Sequence, residues 1–325
     1  MKTSKNPPKR QGLLLIFFSL MLIVSCLMIY LGATQFRSML PFFQLLDGFD
    51  DGSSLLAEKP DVNPGVTDLE PFTGVRLYML LGTDYRPEAG FRTDTIILVA
   101  VDGSSGTASM VSFPRDLWVT IPGYGEQRIN TVMQTGGFQL LANTLQTNFG
   151  VYPTQYAMID MQGFMEVVDV LGGIDVTTDQ YTGDACETYL NSHKWCEVYP
   201  GTVRMDRDWA LWYVRARYSS SDFDRMRRNQ EVLKAIFDKA ITPGGLLKTP
   251  QLMEIFNSRV DSNINPDQIL TMAKFAKLIN SNEDVRRFTI GPNETTSWIT
   301  PMGANVLLPN VAAIQAVLQE ALTFD

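Results

Sequence analysis

The sequence predicts an α/β domain with helices on both sides of a central mixed β-sheet, a three-layer α-β-α arrangement, preceded by one transmembrane helix. Short apolar runs rich in β-branched residues alternate with longer segments of helical periodicity, which favours a layered α/β fold over a bundle or a sandwich. A stretch of twenty uncharged residues near the N-terminus predicts the membrane helix. The overall composition, 45% hydrophobic and 19% charged, fits a globular domain with such a segment.

The individual elements follow from these patterns. Apolar, β-branched runs predict strands at 77–81, 95–101, 108–113, 155–159, 174–177, 286–291 and 304–308. Helical spacing of apolar residues predicts helices at 137–149, 161–171, 208–217, 244–257, 266–280 and 309–322. A further helix runs to about residue 241, and either Asp222 or Asp224 could cap its start.

The uncharged segment at 13–32 also predicts the location of the domain. Four basic residues precede the segment and only Arg37 follows it closely, so residues 1–12 should be a cytoplasmic tail and the rest should lie outside the membrane. A cleaved signal peptide is the alternative, although its apolar core is normally shorter. Residues 33–75 are rich in Asp, Gly, Ser and Pro and predict an extracellular spacer before a single domain at 76–325.

Cys186 and Cys196 flank a polar segment that has the composition of a hairpin or an insertion loop. A disulfide between them would suit an external domain, because disulfides persist in oxidising compartments. Two free thiols are the alternative. A zinc site is disfavoured because His193 is the only histidine.

An unusual density of arginine marks the second half of the chain. Seven arginines and no lysine lie between Arg204 and Arg228, in a protein with a net charge of -8. The rigid guanidinium fork suits two-point binding of phosphate or carboxylate oxygens, which lysine cannot reproduce. Because the surrounding chain is acidic and the arginines are spaced, we expect a small anionic ligand and no nucleic-acid partner.

Two carboxylates flank the turn between the first two predicted strands. Asp84 follows the first strand and Asp94 precedes the second, so a folded-back connection could bring them together. A divalent cation between them would relieve their repulsion. The alternative is that both carboxylates cap turns.

Arg115 follows the third predicted strand, directly after Pro114. An arginine at a strand end is commonly a salt-bridge partner, and Asp116 could brace either Arg115 or Arg128. No phosphate-binding P-loop, His-Glu-x-x-His or Gly-x-Ser-x-Gly motif is present. Catalysis would therefore use carboxylates, arginines or a metal. Taken together, these arginines and carboxylates predict a site for one polyphosphate with Mg²⁺.

Six motifs follow one another along the chain. They are LLGTDYR (80–86), RTDTIILVAVD (92–102), VSFPRDLWVTIPGYG (111–125), MIDMQGFMEVVDVLGGIDV (158–176), ALWYVRAR (210–217) and DFDRMRRNQEVL (222–233). In this order they resemble the LytR-CpsA-Psr family. The motifs span roughly residues 76–241, and we expect the remainder to complete the same domain. A cytoplasmic tail, one anchor and an external domain also fit the layout of the family.

The resemblance implies an enzyme that transfers a glycopolymer from a polyprenyl-pyrophosphate carrier to a peptidoglycan hydroxyl, in contact with the lipid bilayer. By motif position, Asp84 and Asp94 are implied as the Mg²⁺ ligands. The implied pyrophosphate contacts are Arg92, Arg115, Arg215, Arg217, Arg225, Asn229 and Gln230, with Arg92 and Arg115 also in the catalytic set. The family often has Arg-Gln-Gln at 228–230, so the shorter side chain of Asn229 leaves its reach open.

Other readings remain open at this point. Asp224 could act as the general base, but it could equally cap a helix or orient an arginine, and metal-assisted attack without a dedicated base is also possible. The same site could hydrolyse polyprenyl pyrophosphates. A non-catalytic surface protein that binds lipid-linked polyanions is the third possibility. An apolar slot for the lipid could be lined by the helix from Phe164 to Leu171 and by the strands at 95–101 and 108–113.

Overall fold

The computed structural model describes residues 63–69, 74–86, 90–103, 105–218, 221–265, 268 and 285–324. The expected cytoplasmic tail, transmembrane helix at 13–32 and most of the spacer lie outside these residues, as does nearly all of the helix expected at 266–280. Within the described part of the chain, no helix is long and apolar enough to cross a membrane.

A six-stranded mixed sheet forms the centre of the domain, as the sequence predicts. Its strands are β1 (Val75–Arg86), β2 (Gly90–Asp102), β3 (Thr107–Ser112), β6 (Gln155–Asp160), β11 (Val260–Ser262) and β12 (Val285–Thr289), in the order β11-β6-β1-β2-β3-β12. The first three strands are antiparallel to one another. β6 runs parallel to β1, and β12 runs parallel to β3.

Four two-stranded hairpins and ribbons surround this sheet. They are β4 (Trp118–Ile121) with β5 (Gly125–Arg128), β7 (Ile174–Thr178) with β10 (Gly201–Met205), β8 (Thr182–Ala185) with β9 (Trp195–Val198), and β13 (Thr295–Ile299) with β14 (Asn305–Pro309). The sequence predicts β7 and β14, but it misses β4, β5, β10 and β13. Each of these strands has only four or five residues, too few to show a clear alternation of apolar and polar side chains.

Seven α-helices and a short 3₁₀ helix (Ile129–Thr131) have defined bounds in the described fold. The α-helices are α1 (Val132–Phe149), α2 (Met161–Val170), α3 (Arg207–Arg215), α4 (Asp222–Ala240), α5 (Pro243–Leu246), α6 (Thr249–Arg259) and α7 (Val311–Leu322). The single helix expected at 244–257 is divided into α5 and α6. Pro250 lies in the first turn of α6, where a main-chain N–H would have no partner within the helix. In the interior of one continuous helix the same proline would remove a hydrogen bond and clash with the preceding turn, so α5 and α6 are separate.

Two helix starts also differ from the prediction. The residue that caps α4 is Ser221, not Asp222 or Asp224. Its hydroxyl accepts a hydrogen bond from the main-chain N–H of Asp224. Helix α1 begins five residues earlier than expected, and it contains a kink at Gly136 and Gly137, where the backbone is not helical.

Helical elements pack on both faces of the sheet, because its strands alternate their side chains between two sides. On one face, Met79, Leu98 and Val111 of the sheet belong to a buried cluster with residues of α1 and α7, including Leu145 and Leu318. A second buried cluster joins α2, α3 and α4 to β7 and β10. The space between this second group of helices and the sheet forms the site described below.

The disulfide predicted between Cys186 and Cys196 is present, with sulfur atoms 2.04 Å apart. Cys196 lies in β9, and Cys186 follows directly after β8. The disulfide therefore closes the tip of the β8–β9 hairpin, which confirms the hairpin interpretation of the polar segment. Cys196 is fully buried, so the hairpin is fixed to the body of the domain.

Candidate active site

A cavity of about 680 Å³ lies between the sheet and helices α2, α3, α4 and α6. Its polarity changes along its length. Helix α4 contributes Arg225 and Asn229 near its start and Ile236 eleven residues after Arg225, a distance of about 16 Å along a helix. Strand β1 runs in the opposite direction, from the apolar Leu80 to the charged Asp84. The cavity therefore has a charged end and an apolar end.

A β-bulge positions Asp94 at the charged end. In the β1–β2 ladder, Gly82 pairs with Thr95 and Thr83 pairs with Thr93, so Asp94 is an extra residue without a partner in register. A bulge of this kind redirects a side chain that regular pleating would place elsewhere. Asp84, two residues beyond the bulge on β1, also lines the cavity. The sheet thus places both carboxylates that the sequence singled out on the lining of one cavity.

Arg115 is held by three carboxylates. One of its terminal nitrogens, Nη1, lies 3.2 Å from Oδ1 of Asp94. Its Nε lies 3.4 Å from an oxygen of Asp116 and 3.4 Å from an oxygen of Asp222. Burial alone would lower the pKa of the Arg115 guanidinium, but the charges of Asp222, Asp94 and Asp116 raise it. Arg115 is therefore a fixed cation beside Asp94, and Asp116 braces both Arg115 and Arg128, the latter at 3.1 Å.

Arg225 enters the same cluster from the first turn of α4. It is 6% exposed, and its Nη1 lies 3.2 Å from Asp222, which also binds Arg115. Burial lowers the pKa of Arg225, and the positive charges of Arg115 and Arg217 lower it further. The concentration of cations around one small volume favours an anion there.

Arg215 and Arg217 come from the end of α3 and the loop after it, and both are exposed and line the cavity. Arg228 holds this segment in place. Its side chain is 1% exposed, and it donates hydrogen bonds to the main-chain carbonyls of Tyr213 (2.9 Å) and Ala216. Burial lowers the pKa of Arg228. The carbonyls that Arg228 binds flank Arg215, so a buried arginine positions an exposed one.

The remaining arginines of the cluster form pairs at the surface or behind the site. Arg204 binds Asp175 at 2.9 Å, and Arg207 lies 3.7 Å from Asp169. Arg227 binds Thr178 and Glu231. Arg228 is buried and supports the segment that carries Arg215.

Asn229 lines the cavity, and its amide nitrogen donates to the Thr95 hydroxyl at 2.9 Å. Gln230 points away from the cavity. It is 2% exposed and donates to the Ser112 hydroxyl and the Phe288 carbonyl, which ties α4 to β3 and β12. The structure thus places Gln230 as a packing residue and does not place it at the predicted pyrophosphate contact.

Two further predicted residues lie at the margin of the site. Arg92 pairs in register with Asp84 on the β1–β2 hairpin, outside the described lining of the cavity. Asp224 occupies a capping box, where its carboxylate accepts hydrogen bonds from the main-chain N–H and the hydroxyl of Ser221, both at 2.8 Å. Burial would raise the pKa of Asp224, but these bonds and the charges of Arg227 and Arg228 lower it. Of the roles that the sequence left open for Asp224, the structure shows the one at the helix start, where Asp224 is the partner of the capping residue Ser221.

The apolar end of the cavity is lined mainly by helices. Phe164 and Val167 come from α2, Leu211 and Val214 from α3, Val232, Leu233 and Ile236 from α4, and Phe256 from α6. The sequence predicts that the helix from Phe164 and the strand at 95–101 line an apolar slot. Both do line the cavity, and the strand contributes Thr95 and Ile97. The strand at 108–113 does not line the cavity among the described residues. Its side chains pack in the core or bind Gln230.

The donor set at the charged end is suited to a hard divalent cation. Oδ1 of Asp94 is buried and makes no hydrogen bond, although it faces Arg115, and Asp84 lines the same space. Mg²⁺ typically binds one or two carboxylates together with substrate phosphates. Within the described residues, no group of three or more His, Cys, Asp or Glu side chains could hold a metal without such a substrate.

The sequence reasoning missed two residues of the site. Asp222 bridges Arg115 and Arg225, and its position three residues before Arg225 on a predicted helix was the available signal. Asp160 lines the cavity and caps α2, accepting a hydrogen bond from the N–H of Gly163 at 2.7 Å. An Asp before an amphipathic segment is a typical cap, so the residue could have been found.

Known proteins resemble this chain in sequence and in fold. Regulatory protein MsrR of Staphylococcus aureus (strain COL) is 29% identical over 215 residues, which is 65% of this chain and 63% of MsrR. The polyisoprenyl-teichoic acid–peptidoglycan teichoic acid transferase TagU of Bacillus cereus is 28% identical over 212 residues, 64% of this chain and 67% of TagU. The structure of TagT bound to LIIa-WTA superposes with a TM-score of 0.62 at 23% identity, covering 82% of this chain and 96% of TagT.

The family assignment rests on a match to most of the domain. The model of the LytR_cpsA_psr family matches residues 72–320, which include the bulge at Asp94, Arg115 and the arginines of α3 and α4. The fold shared with TagT agrees with this match. The protein therefore belongs to the LytR_cpsA_psr family.

Proposed function

We propose that this protein is a membrane-anchored, Mg²⁺-dependent phosphotransferase. It moves a glycopolymer from a polyprenyl-pyrophosphate carrier to a hydroxyl group of cell-wall peptidoglycan. The observation that carries this proposal is the polarity gradient of the cavity, which matches an amphipathic ligand with a charged head and a long apolar tail. The name of its relative TagU, a transferase that joins teichoic acid to peptidoglycan, supports the same class of reaction.

The charged end supplies what phosphoryl transfer requires. Arg115, Arg225, Arg215 and Arg217 bind and orient the pyrophosphate, and Asp222 keeps Arg115 and Arg225 at a fixed spacing. Asp84 and Asp94 would hold Mg²⁺, which when bound neutralises phosphate charge. The apolar end excludes water from the lipid and favours the carrier over soluble pyrophosphates.

In the proposed reaction, the acceptor hydroxyl oxygen attacks the phosphorus atom that carries the glycan. A new P–O bond forms, and the bond from this phosphorus to the bridging oxygen breaks. The electron pair stays on the bridging oxygen, and polyprenyl phosphate leaves. The hydroxyl proton passes to the leaving polyprenyl phosphate. Asp224, which is the partner of Ser221 in the capping box of α4, has no role in this step.

A labelled donor tests the proposal. The full-length protein is incubated in detergent with a polyprenyl-pyrophosphoryl disaccharide labelled in its sugar, with peptidoglycan and Mg²⁺. We expect label in peptidoglycan and its loss in Asp94→Asn. The matched control is Asp175→Asn, which removes an exposed carboxylate paired with Arg204 outside the cavity. Label released only as soluble sugar phosphate would instead indicate a hydrolase, and binding without turnover would indicate a non-catalytic protein.

We further propose that residues 13–32 anchor the domain on the outer side of the cell membrane. The disulfide between Cys186 and Cys196 supports an oxidising location. Protease added to intact cells should then remove the domain, whereas a cytoplasmic domain would be protected. The intact mass of the membrane-bound protein distinguishes an uncleaved anchor, with all residues retained, from a cleaved signal peptide.

A further inference from the structure

A second, smaller cavity borders the first. It has a volume of about 280 Å³ and lies between helix α3 and the disulfide-closed β8–β9 hairpin. Leu211 and Arg215 line both cavities, so the two adjoin at an arginine that also lines the proposed pyrophosphate site. A ligand group attached to a phosphate at Arg215 could reach the second cavity directly.

The chemistry of this second cavity differs from that of the first. Glu187 and Asp208 line it and bring negative charge, which disfavours phosphate groups. Carboxylates accept strong hydrogen bonds from hydroxyl groups. Tyr189, which is 70% exposed, provides aromatic surface beside them, and the largely buried indole of Trp212 forms part of the wall. Aromatic faces with neighbouring carboxylates match a neutral, polyhydroxylated ring that has both apolar C–H faces and O–H edges.

The hairpin is fixed firmly enough to form a binding wall. The Trp212 indole N–H donates to the Ala185 carbonyl at 3.0 Å, which joins α3 to β8. The Asp184 carboxylate accepts hydrogen bonds from the main-chain N–H groups of Arg217 and Tyr218, which joins the arginine loop to the same strand. The disulfide closes the other side. The wall therefore keeps a constant position relative to the arginines.

A second aromatic pair continues the surface past Asp184. The rings of Trp195 and Tyr218 meet edge to face with centroids 5.1 Å apart, and Tyr218 is 78% exposed. An exposed tyrosine that is held by a tryptophan and by its own backbone loses little conformational entropy when it binds a ligand. Asp184 lines the second cavity and binds the main-chain N–H of Tyr218, so this aromatic pair lies at the border of that cavity.

We propose that the second cavity and its aromatic border are a sugar-binding subsite, which holds a pyranose ring of the glycan next to the phosphate at Arg215. This inference deepens the proposed function and rests on it. Two sources share the required chemistry: the first sugars of the lipid-linked donor, and the sugar of the peptidoglycan acceptor. In both cases Glu187 and Asp208 accept hydrogen bonds from hydroxyl groups while Tyr189 packs against a ring face.

Calorimetric titration of the full-length protein with three probes tests the subsite. The probes are farnesyl pyrophosphate, farnesyl-pyrophosphoryl-N-acetylglucosamine and the neutral oligosaccharide chitotetraose. The test variant is Glu187→Gln combined with Tyr189→Ala, two exposed side chains whose replacement should leave the fold intact. The matched control is Tyr199→Ala, an exposed tyrosine of the same region that does not line the second cavity.

If the subsite holds donor sugar, the test variant binds the sugar-bearing pyrophosphate at least about tenfold more weakly, while binding of farnesyl pyrophosphate is unchanged. If it holds acceptor sugar, only chitotetraose binding weakens. Equal affinities of test variant, control and wild type for all three probes would overturn the inference. Failure of the proposed function gives a different result, because the wild type would then bind sugar but transfer no label to peptidoglycan.

Discussion

Arg115 combines a structural role with its proposed role as a substrate ligand. Three carboxylates from different segments converge on its guanidinium, which fixes the direction of the side chain before any substrate arrives. Preorganised cations are the most effective stabilisers of charge that develops during phosphoryl transfer. The salt-bridge interpretation of Arg115 is therefore compatible with its proposed role as a phosphate ligand.

Replacement of Arg115 by lysine should lower kcat/KM for transfer by at least about a hundredfold. Lysine keeps the charge but loses the planar fork that can contact two oxygens while remaining bound to Asp94 and Asp222. Steady-state transfer of labelled sugar measures the effect. Arg204→Lys, at an exposed ion pair outside the cavity, is the control and should behave like the wild type. Near-normal activity of Arg115→Lys would show that Arg115 is not a ligand of the substrate.

Replacement of Arg228 by methionine should destabilise the domain by about 2–4 kcal/mol, because the buried carbonyls of Tyr213 and Ala216 lose their donors. Urea unfolding followed by circular dichroism measures the change in the free energy of unfolding. Arg204→Met removes an exposed arginine and should cost little. Equal stabilities of the two variants would show that Arg228 does not hold the segment.

At the scale of elements, the sequence predicts long, strongly periodic segments well and short ones poorly. The central strands at 77–81, 95–101 and 108–113 were found because buried strands are continuous apolar runs. The bulge at Asp94 was not predictable, since a bulge is defined by how one strand pairs with its neighbour, and this register is known only from the folded structure. For the same reason the sequence identified Asp94 as a candidate but could not say how its side chain reaches the cavity.

The kink in α1 depends on a backbone conformation that only glycine adopts easily. Gly137 has φ of 68° and ψ of -166°, and a Cβ atom there would meet nothing within 4 Å. Gly137→Ala should therefore destabilise the domain through backbone strain alone, by about 1–3 kcal/mol. Chemical denaturation measures the change. Gly244→Ala, in helix α5 and without a positive φ, should be neutral or slightly stabilising, and an equal loss in both variants would contradict the argument.

The disulfide closes a loop whose ends are ten residues apart in sequence. Loop-closure entropy predicts that Cys186→Ala with Cys196→Ala lowers stability by about 2–3 kcal/mol. Thermal unfolding measures the loss as a fall in Tm. Dithiothreitol should lower the Tm of the wild type and leave that of the double variant unchanged. A wild-type Tm that does not respond to reductant would show that the hairpin is stable without the bond.

For the whole molecule, a network of opposite charges joins segments that are far apart in the chain. Asp94 of β2, Arg115 after β3, and Asp222 and Arg225 of α4 are linked by ion pairs of 3.2–3.4 Å. The sheet and the helical layer thus meet at the site through charge as well as through apolar packing. Substrate binding at this network should weaken as salt concentration rises, because partly exposed charges are screened.

Acid should weaken the whole fold through carboxylates whose pKa values lie below normal. Burial raises the pKa of Asp224, but its hydrogen bonds with Ser221 and the charges of Arg227 and Arg228 lower it below the ordinary value of 3.8. Its contribution to stability is therefore complete above that pH and is lost as pH falls through the depressed pKa. Urea unfolding between pH 6 and pH 2.5 should show a smaller loss for Asp224→Asn than for the wild type. Parallel curves would exclude this contribution.

The bulge at Asp94 also divides the β1–β2 hairpin into two parts. One register pairs the residues from Val75 to Gly82 within the central sheet, and a second register pairs those from Thr83 to Arg86 in the outer part of the hairpin. Because the two registers are independent, a shift in the pairing of the outer part would leave the pairing of the central sheet unchanged. The carboxylate beside Arg115 is thus carried by a residue that neither register uses.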